Sequence, residues 1–368
     1  VPLRRTILHV QPRLPVYRLD FFERLARHYG ASLKVMFSPG TQWTLTKPID
    51  SSWAQPIGEM RAWPGGFLWQ VGGAFVPLSK GDIVVLSGNP RQLSALVLLM
   101  RARLAGARII WWSHYWSATS RRWRQALRSV PMSLADVILF YTDDEVARYR
   151  NTAAGARDPR PVAALNNGLD LATLLPLRTA YHSSKRDNAL LFIGRLMSKS
   201  RLGLGLEALA RLGEAAPVLH VIGDGEDAPV LHARAETLGL ADKVVWHGKM
   251  TEEPKIAAIA NRCRAFLYPG EVGLSLIHAM AYALPAILHD NRGQHMPEIA
   301  AFQDGETGLT FVQNDACDLS RAIAEALSDP DRLDGWSARI ATIVGPGFST
   351  EDMARRFIAL VEDMEARA

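Results

Sequence analysis

The sequence predicts an α/β protein of two domains, each a doubly wound parallel sheet, and three observations carry that expectation. At 368 residues the chain is long for one domain and comfortable for two, and either half is large enough to bury a core. Apolar runs of strand length alternate with longer runs of helical period, the order expected of βα units. Residues are 48% apolar, yet no apolar run reaches the roughly 18 residues of a membrane span, so the composition is that of a globular chain.

The first half opens with a strand over Thr6–Val10, a loop Gln11-Pro-Arg-Leu-Pro-Val16, a helix from about Arg18 to Tyr29 and a strand over Ser32–Phe37. Ligands of such domains lie beyond the carboxyl ends of the strands. The loop after the first strand, with Arg13 and Tyr17, is therefore a candidate to line a cleft. It lacks the glycine fingerprint of a nicotinamide or flavin site. Residues 38–80 carry Trp43, Trp53, Trp63 and Trp69 among prolines and glycines and give no clear period. Such aromatic loops lodge at a membrane interface, pack into a core or grip an acceptor.

Asp82–Leu86 is a strand, Arg91–Leu104 a helix and Arg108–Trp112 a strand that runs out into Ser113 and His114. A histidine just past a strand end is a candidate to bond a sugar hydroxyl or shuttle a proton. Arg121–Arg128 reads as a basic amphipathic helix, either a solvated face or a dock for anionic headgroups. No recognition fold or stacking motif accompanies it, so nucleic acid is not expected. After the strand Ala135–Tyr141, the acidic run Asp143-Asp-Glu145 reads as the first turn of a helix, favoured by the dipole, and not as a metal site. Residues 1–170 form the first domain, and the polar stretch 171–188 reads as a linker.

The second domain spans 189–349. It opens with the strand Leu190–Ile193, then Gly194 and Arg195, then a helix over Leu202–Leu212. Arg195 and Lys199 stand between strand and helix, one a fork and the other a point charge for phosphate oxygens. The strand Val218–Ile222 meets a turn at Gly223-Asp-Gly225 before a helix over Ala228–Leu238. Val244–Trp246 is a strand, and about Glu253–Asn261 a helix. Ala265–Tyr268 has the length of a buried parallel strand and is stopped by Pro269-Gly270. Gly273-Leu274-Ser275 begins a helix that Pro285 ends, before a strand over Ala286–Leu288. Strand, glycine turn and helix start together make a place for an anion, here read as a nucleotide-diphosphate cradle; an ordinary βα unit is the alternative. His289 and His295 lack a third metal ligand at suitable spacing. Helices over about 316–328, 331–343 and 350–366 close the chain, with 350–368 as a separate terminal helix.

Charge is uneven. Residues 1–180 hold 23 Lys and Arg against 11 Asp and Glu, a balance of +12, and residues 181–368 hold 19 against 26, a balance of −7. A basic first half suggests an anionic partner, whether a lipid surface or a lipid-diphosphate acceptor. Two cysteines without metal spacing, Cys263 and Cys317, fit a reducing, cytoplasmic setting. No secretory signal precedes the first strand. The expected location is cytoplasmic, peripheral on the inner face of the plasma membrane.

The cradle Pro269-Gly-Glu-Val-Gly-Leu-Ser-Leu-Ile-His-Ala-Met280 resembles the signature of family 4 glycosyltransferases. Further matches follow in family order: Asn167-Gly-Leu-Asp170, Phe192-Ile-Gly-Arg-Leu196, Val221-Ile-Gly-Asp-Gly225, Val244-Val-Trp-His-Gly248, Met296-Pro-Glu-Ile299 and Gly305-Glu-Thr-Gly-Leu309. The resemblance covers about half the chain. It implies the GT-B fold, two Rossmann-like domains facing across a cleft with the last helix crossing back to the first. It implies a retaining, metal-independent hexosyltransferase without a cofactor. The donor is a UDP- or GDP-linked sugar, and the acceptor a glycan or lipid-linked glycan of bacterial polysaccharide assembly. In that family Arg195 and Lys199 would neutralise the departing diphosphate, and His114 would face the donor sugar. Gly194, Gly223, His247, Gly273, Leu274, Ser275 and His278 would border the donor.

Two features depart from the pattern. The family places two Glu residues, with seven between, before Ala-Met. Here His278 stands at the second Glu, which usually holds the ribose, and Gly270 at the first, with Glu271 one residue late. Glu271 through a shifted loop, or the N–H groups of Val272 and Gly273, would then meet the sugar. The usual lysine offset lands on Ser200, flanked by Lys199 and Arg201, with Lys199 preferred. These changes read as a subfamily trait. A nucleotide-sugar 2-epimerase of the same fold and a non-catalytic nucleotide-sugar-binding module are the alternatives.

Overall fold

The computed structural model describes residues 5–39, 51–115 and 130–367. The chain divides into two compact units, residues 1–166 with 350–368, and residues 167–349. Trp43, Trp116 and the basic segment Arg121–Arg128 lie outside the described residues.

Unit 1 is built on seven parallel strands in the order β3-β2-β1-β6-β7-β8-β9. These are β1 (Ile7–Gln11), β2 (Leu33–Phe37), β3 (Ala54–Pro56), β6 (Ile83–Ser87), β7 (Arg108–Trp112), β8 (Val137–Phe140) and β9 (Val162–Ala164). The central strands are apolar on both faces because helices cover both. Ile7, Val85 and Leu139 pack with Phe21 and Phe22 of the helix Leu19–Tyr29 and with Phe357 and Val361 of the terminal helix Thr350–Ala366. Leu8, Val84 and Trp111 face the other way, onto Leu98 and Leu99 of the helix Leu93–Leu104. The terminal helix therefore belongs to the first unit, as the resemblance implies.

The unread stretch 38–80 supplies β3 and an antiparallel hairpin of β4 (Met60–Trp63) and β5 (Phe67–Gln70). Its tryptophans divide by environment. Trp53 is buried against Phe22, with ring centroids 5.9 Å apart. Trp63 is 51% exposed and stacks on Trp69 across the hairpin.

Unit 2 has six parallel strands in the order β12-β11-β10-β13-β14-β15. They are β10 (Ala189–Ile193), β11 (Val218–Ile222), β12 (Val244–Gly248), β13 (Ala265–Tyr268), β14 (Ala286–His289) and β15 (Gly308–Phe311). One continuous core runs under the sheet and its helices. The strand order reverses between β10 and β13, which is where ligands of open α/β sheets bind. The predicted linker 171–188 is corrected here. Leu171 and Leu174 are buried in the unit 2 core, and the buried Arg186 donates to Ala260 O (3.0 Å) and Cys263 O (2.8 Å). The unit boundary falls at Asn166/Asn167, because apolar side chains spaced along a polar stretch still find a core to cover.

Candidate active site

The carboxyl edge of the unit 2 sheet is main chain laid on main chain. Past β10, Gly194 N–H donates to Ile222 O (3.0 Å), and Leu196 N–H donates to Asp224 O (3.1 Å). Past β11, Gly223 N–H donates to Gly248 O (2.8 Å). Gly223 has φ +149°, and a Cβ there would overlap the Gly194 carbonyl oxygen; one on Gly225 would overlap that of Leu196. Past β13, Glu271 N–H donates to Lys199 O (3.0 Å), which joins the loop after β10 to the loop before the helix Leu274–Ala281. Gly270 lies directly on the Lys199 carbonyl, so no side chain fits at that position. The shift of the acidic residue from 270 to 271 follows from this close packing.

Gly273 is the N-cap of Leu274–Ala281, and no side chain caps that helix. Gly273, Leu274 and Ser275 are half-buried. Their amides stand at the positive end of the helix dipole, as an anion site requires. The turn before them is fixed by two histidines. Val272 N–H donates to His295 Nδ1 (3.2 Å), while His295 Nε2 donates to His289 O (2.9 Å). The rings stack at 3.8 Å. Burial, and for His289 the neighbouring His295, hold the imidazoles low, His295 at about 4 and His289 at about 3. Both are neutral near pH 7, in keeping with an Nδ1 that accepts. The Val272 amide is thus engaged inside the protein, which corrects the expectation that it meets the sugar.

Arg195 and Lys199 are both exposed on the loop after β10. Ser200, at the usual lysine offset, is fully buried and donates to Met197 O (2.7 Å). Arg201 is turned to Asn314. Of the two cations flanking Ser200, Lys199 is the one not committed to that contact. Glu271 is half-buried beside it.

Two donor-side expectations change. His278 is bonded through Nε2 to Glu253 Oε1 (2.8 Å), and the same oxygen accepts from the Tyr282 hydroxyl. Burial raises the Glu253 pKa, but the bonds to His278 and Tyr282 outweigh it and hold the carboxyl below its ordinary value. The His278 ring is therefore positioned by a neighbouring helix and is not an open side chain. Sequence reasoning missed Glu253 because it reads as an ordinary helix start, and its partner lies 25 residues away. His247 Nε2 lies 3.0 Å from Nδ1 of His220 on the adjacent strand, and burial lowers both pKa values. Its ring is engaged within the sheet, leaving the loop backbone past β12 to border a ligand.

In unit 1, His114 follows β7 as expected. Its ring stacks on Tyr141 at 4.1 Å, with Nδ1 3.7 Å from Glu145 Oε1. Glu145 is buried and accepts from the amides of Tyr115 (2.9 Å), Tyr141 (2.9 Å) and Thr142 (3.1 Å), closing a capping box with Thr142. The acidic run is a helix start, as read, and its last member also fixes the His114 loop. Arg13 and Tyr17 are exposed at a cavity that also contains Arg18, a residue the sequence did not single out. Among the described residues, no group of three or more His, Cys, Asp or Glu is placed to hold a metal ion.

Two parallel Rossmann-like sheets with the terminal helix returned to the first unit are the GT-B architecture of glycosyltransferases. Within it, residues 177–343 match the family model of glycosyl transferases group 1. The chain is similar to EpsD of Bacillus subtilis (strain 168), a provisionally assigned glycosyltransferase. That match is 28% identical over 167 residues, 44% of this chain and 42% of that protein. The chain spans about half the length of the curated relatives it matches. Among solved structures, a glycosyltransferase from Rickettsia africae ESF-5 superposes with TM-score 0.72 at 14% identity, covering 99% of each chain. Anabaena Alr3699/HepE in complex with UDP-glucose gives TM-score 0.64 at 14% identity, covering 97% of this chain and 99% of that one. At such identities these structures share the fold.

Proposed function

We propose that this protein is a retaining, metal-independent glycosyltransferase that uses a nucleoside-diphosphate sugar, UDP- or GDP-linked. The observation that carries this reading is the uncapped start of the helix Leu274–Ala281, joined to the Arg195–Lys199 loop by the Glu271–Lys199 main-chain bond. The helix start, with the exposed Arg195 and Lys199 on the adjoining loop, supplies positive charge suited to a leaving diphosphate. The anomeric C–O bond to the diphosphate breaks, and the acceptor hydroxyl forms the new bond on the same face. The hydroxyl proton passes to the phosphate oxygen that leaves, so no carboxylate nucleophile is required. Glu271 and His114 orient the sugar, and His278, held by Glu253, orients the ribose. A solved relative by fold is named as a UDP-glucose complex, which favours UDP over GDP.

Unit 1 would bind the acceptor, a glycan or lipid-linked glycan of polysaccharide assembly. The +12 balance of residues 1–180 and the exposed Trp63 and Phe67 support a peripheral position on an anionic membrane face. The test is transfer from UDP-sugars to a crude membrane acceptor, with and without a chelator. Arg195→Ala is expected to lower kcat/KM by about 100-fold or more with the melting temperature unchanged. Full activity in that variant, or release of a free 2-epimer from donor alone, defeats the proposal.

A further inference from the structure

The strand order of unit 1 also reverses, between β1 and β6, and a cavity of about 410 Å³ lies at the carboxyl ends of these strands. Its deep lining is His9, Gln11, Arg18 and Trp112, each less than a tenth exposed. Both ring nitrogens of His9, Nε2 of Gln11 and Nε1 of Trp112 are buried without a hydrogen-bond partner among the described residues. An unmade bond at a buried polar atom costs about 1–3 kcal/mol, and these four atoms belong to three residues that line one cavity. Packing does not account for them, because an apolar side chain at any of these positions would fill the same space without that loss.

Their chemistry leans toward donation. The Gln11 Nε2 and the Trp112 indole N–H are donors, and neutral His9 offers one donor and one acceptor. The Arg18 guanidinium lies over the Trp112 ring at 4.5 Å and near the Tyr141 ring at 5.5 Å. Burial works against its charge, but Tyr141 and Tyr17 outweigh that and raise its pKa, so it stays a cation. Burial, and then Arg18, depress His9 to about 3, so His9 is neutral and Arg18 is the charge in the deep lining. Among the described residues nothing acidic lines the cavity, and the exposed Arg13 stands at its mouth.

We propose that this cavity binds the oxyanion end, phosphate or carboxylate, of a small organic acid or of a larger substrate carrying such a group. Gln11 and Trp112 donate to its oxygens, Arg18 supplies the charge, and Tyr17 and Tyr141 flank the carbon part. Identifying that substrate as the acceptor rests on the function proposed above; the site itself does not.

The test is calorimetric titration of the full chain, without nucleotide, using glycerol 3-phosphate and, separately, malonate. Saturation by either supports the site, and the one that binds tells phosphate from carboxylate. Gln11→Leu and Trp112→Phe should each weaken binding about tenfold, the loss of one hydrogen bond to an ionised group. Arg18→Gln should abolish it. Trp112→Phe keeps most of the ring volume and decides the matter if Gln11→Leu fails to fold. Arg195→Ala, in the other unit, should leave probe affinity unchanged, as should saturating nucleoside diphosphate. The proposal is overturned if neither probe binds, if Trp112→Phe binds as tightly as the parent, or if nucleoside diphosphate displaces the probe. Probe binding without any sugar transfer would count against the proposed function and leave this site standing.

Discussion

The two units share one strand order through their first six sheet strands, yet they finish their carboxyl edges with different material. In unit 2 the edge is glycine and backbone: Gly223, Gly225 and Gly270 bring carbonyls so close that side chains are shut out, and at Gly194 the Tyr268 ring does the same. In unit 1 the corresponding edge is built from large side chains, His9, Gln11, Arg18, Trp112 and Tyr141. Backbone amides present fixed dipoles and suit a group that is the same in every donor, such as a diphosphate. Side chains are replaced one at a time without moving the strands, which suits a ligand that differs from one enzyme to the next. On the function proposed above, the constant part of the chemistry would fall to unit 2 and the variable part to unit 1.

The largest expected effect tests the backbone edge. Gly223→Ala and Gly270→Ala each place a Cβ on a carbonyl oxygen and should cost about 3 kcal/mol or more. Gly66→Ala in the unit 1 hairpin also has positive φ, but its nearest neighbour is the end of the flexible Arg91 side chain, 3.7 Å away. It should cost only about 1 kcal/mol. Equal losses in urea denaturation would erase the contrast between the edges.

Acid should weaken both edges at once. His9 in unit 1 and His289 and His295 in unit 2 have folded pKa values depressed to about 3, 3 and 4 from 6.5. The unfolded chain therefore binds more protons below pH 6.5. The stability tied to neutral imidazole is complete above that pH and is lost as pH falls toward 4 and below. Linkage sets a loss of up to about 3 kcal/mol per histidine between pH 7 and pH 4. His295→Asn should flatten part of that slope in denaturation measured against pH; an unchanged slope would remove His295 from the account.

Next in size is Glu253→Gln. It should weaken nucleoside-diphosphate binding by about tenfold, near 1.4 kcal/mol, by loosening His278 while leaving glycerol 3-phosphate binding in unit 1 untouched. Equal weakening of both ligands would show a general loss of structure. The smallest effect on stability is expected at the exposed hairpin. Trp63→Ser should change unfolding by less than about 0.5 kcal/mol yet reduce sedimentation with anionic phospholipid vesicles. Undiminished vesicle binding would remove the hairpin from the membrane reading.

Much of the framework is written in local pattern. Ala265–Tyr268, Leu202–Leu212 and Thr350–Ala366 stand where apolar period and caps place them, because strand and helix periods are properties of neighbouring residues. The turn and helix start at Gly273 are equally legible, since a glycine turn before a helix is a local signal. Other features had no local signal. The stretch 51–70 hides β3 and a hairpin because proline and glycine interrupt its alternation, and pairing across the hairpin restores it. Glu253 and His278, His247 and His220, and Val272 and His295 meet only through the packing of separate elements. Sequence by itself determined which segments fold and that a glycine turn and a helix start follow β13. Tertiary structure alone decided which side chains remain available there, because hydrogen bonds between distant residues consume some candidates and expose others that no period or spacing marks.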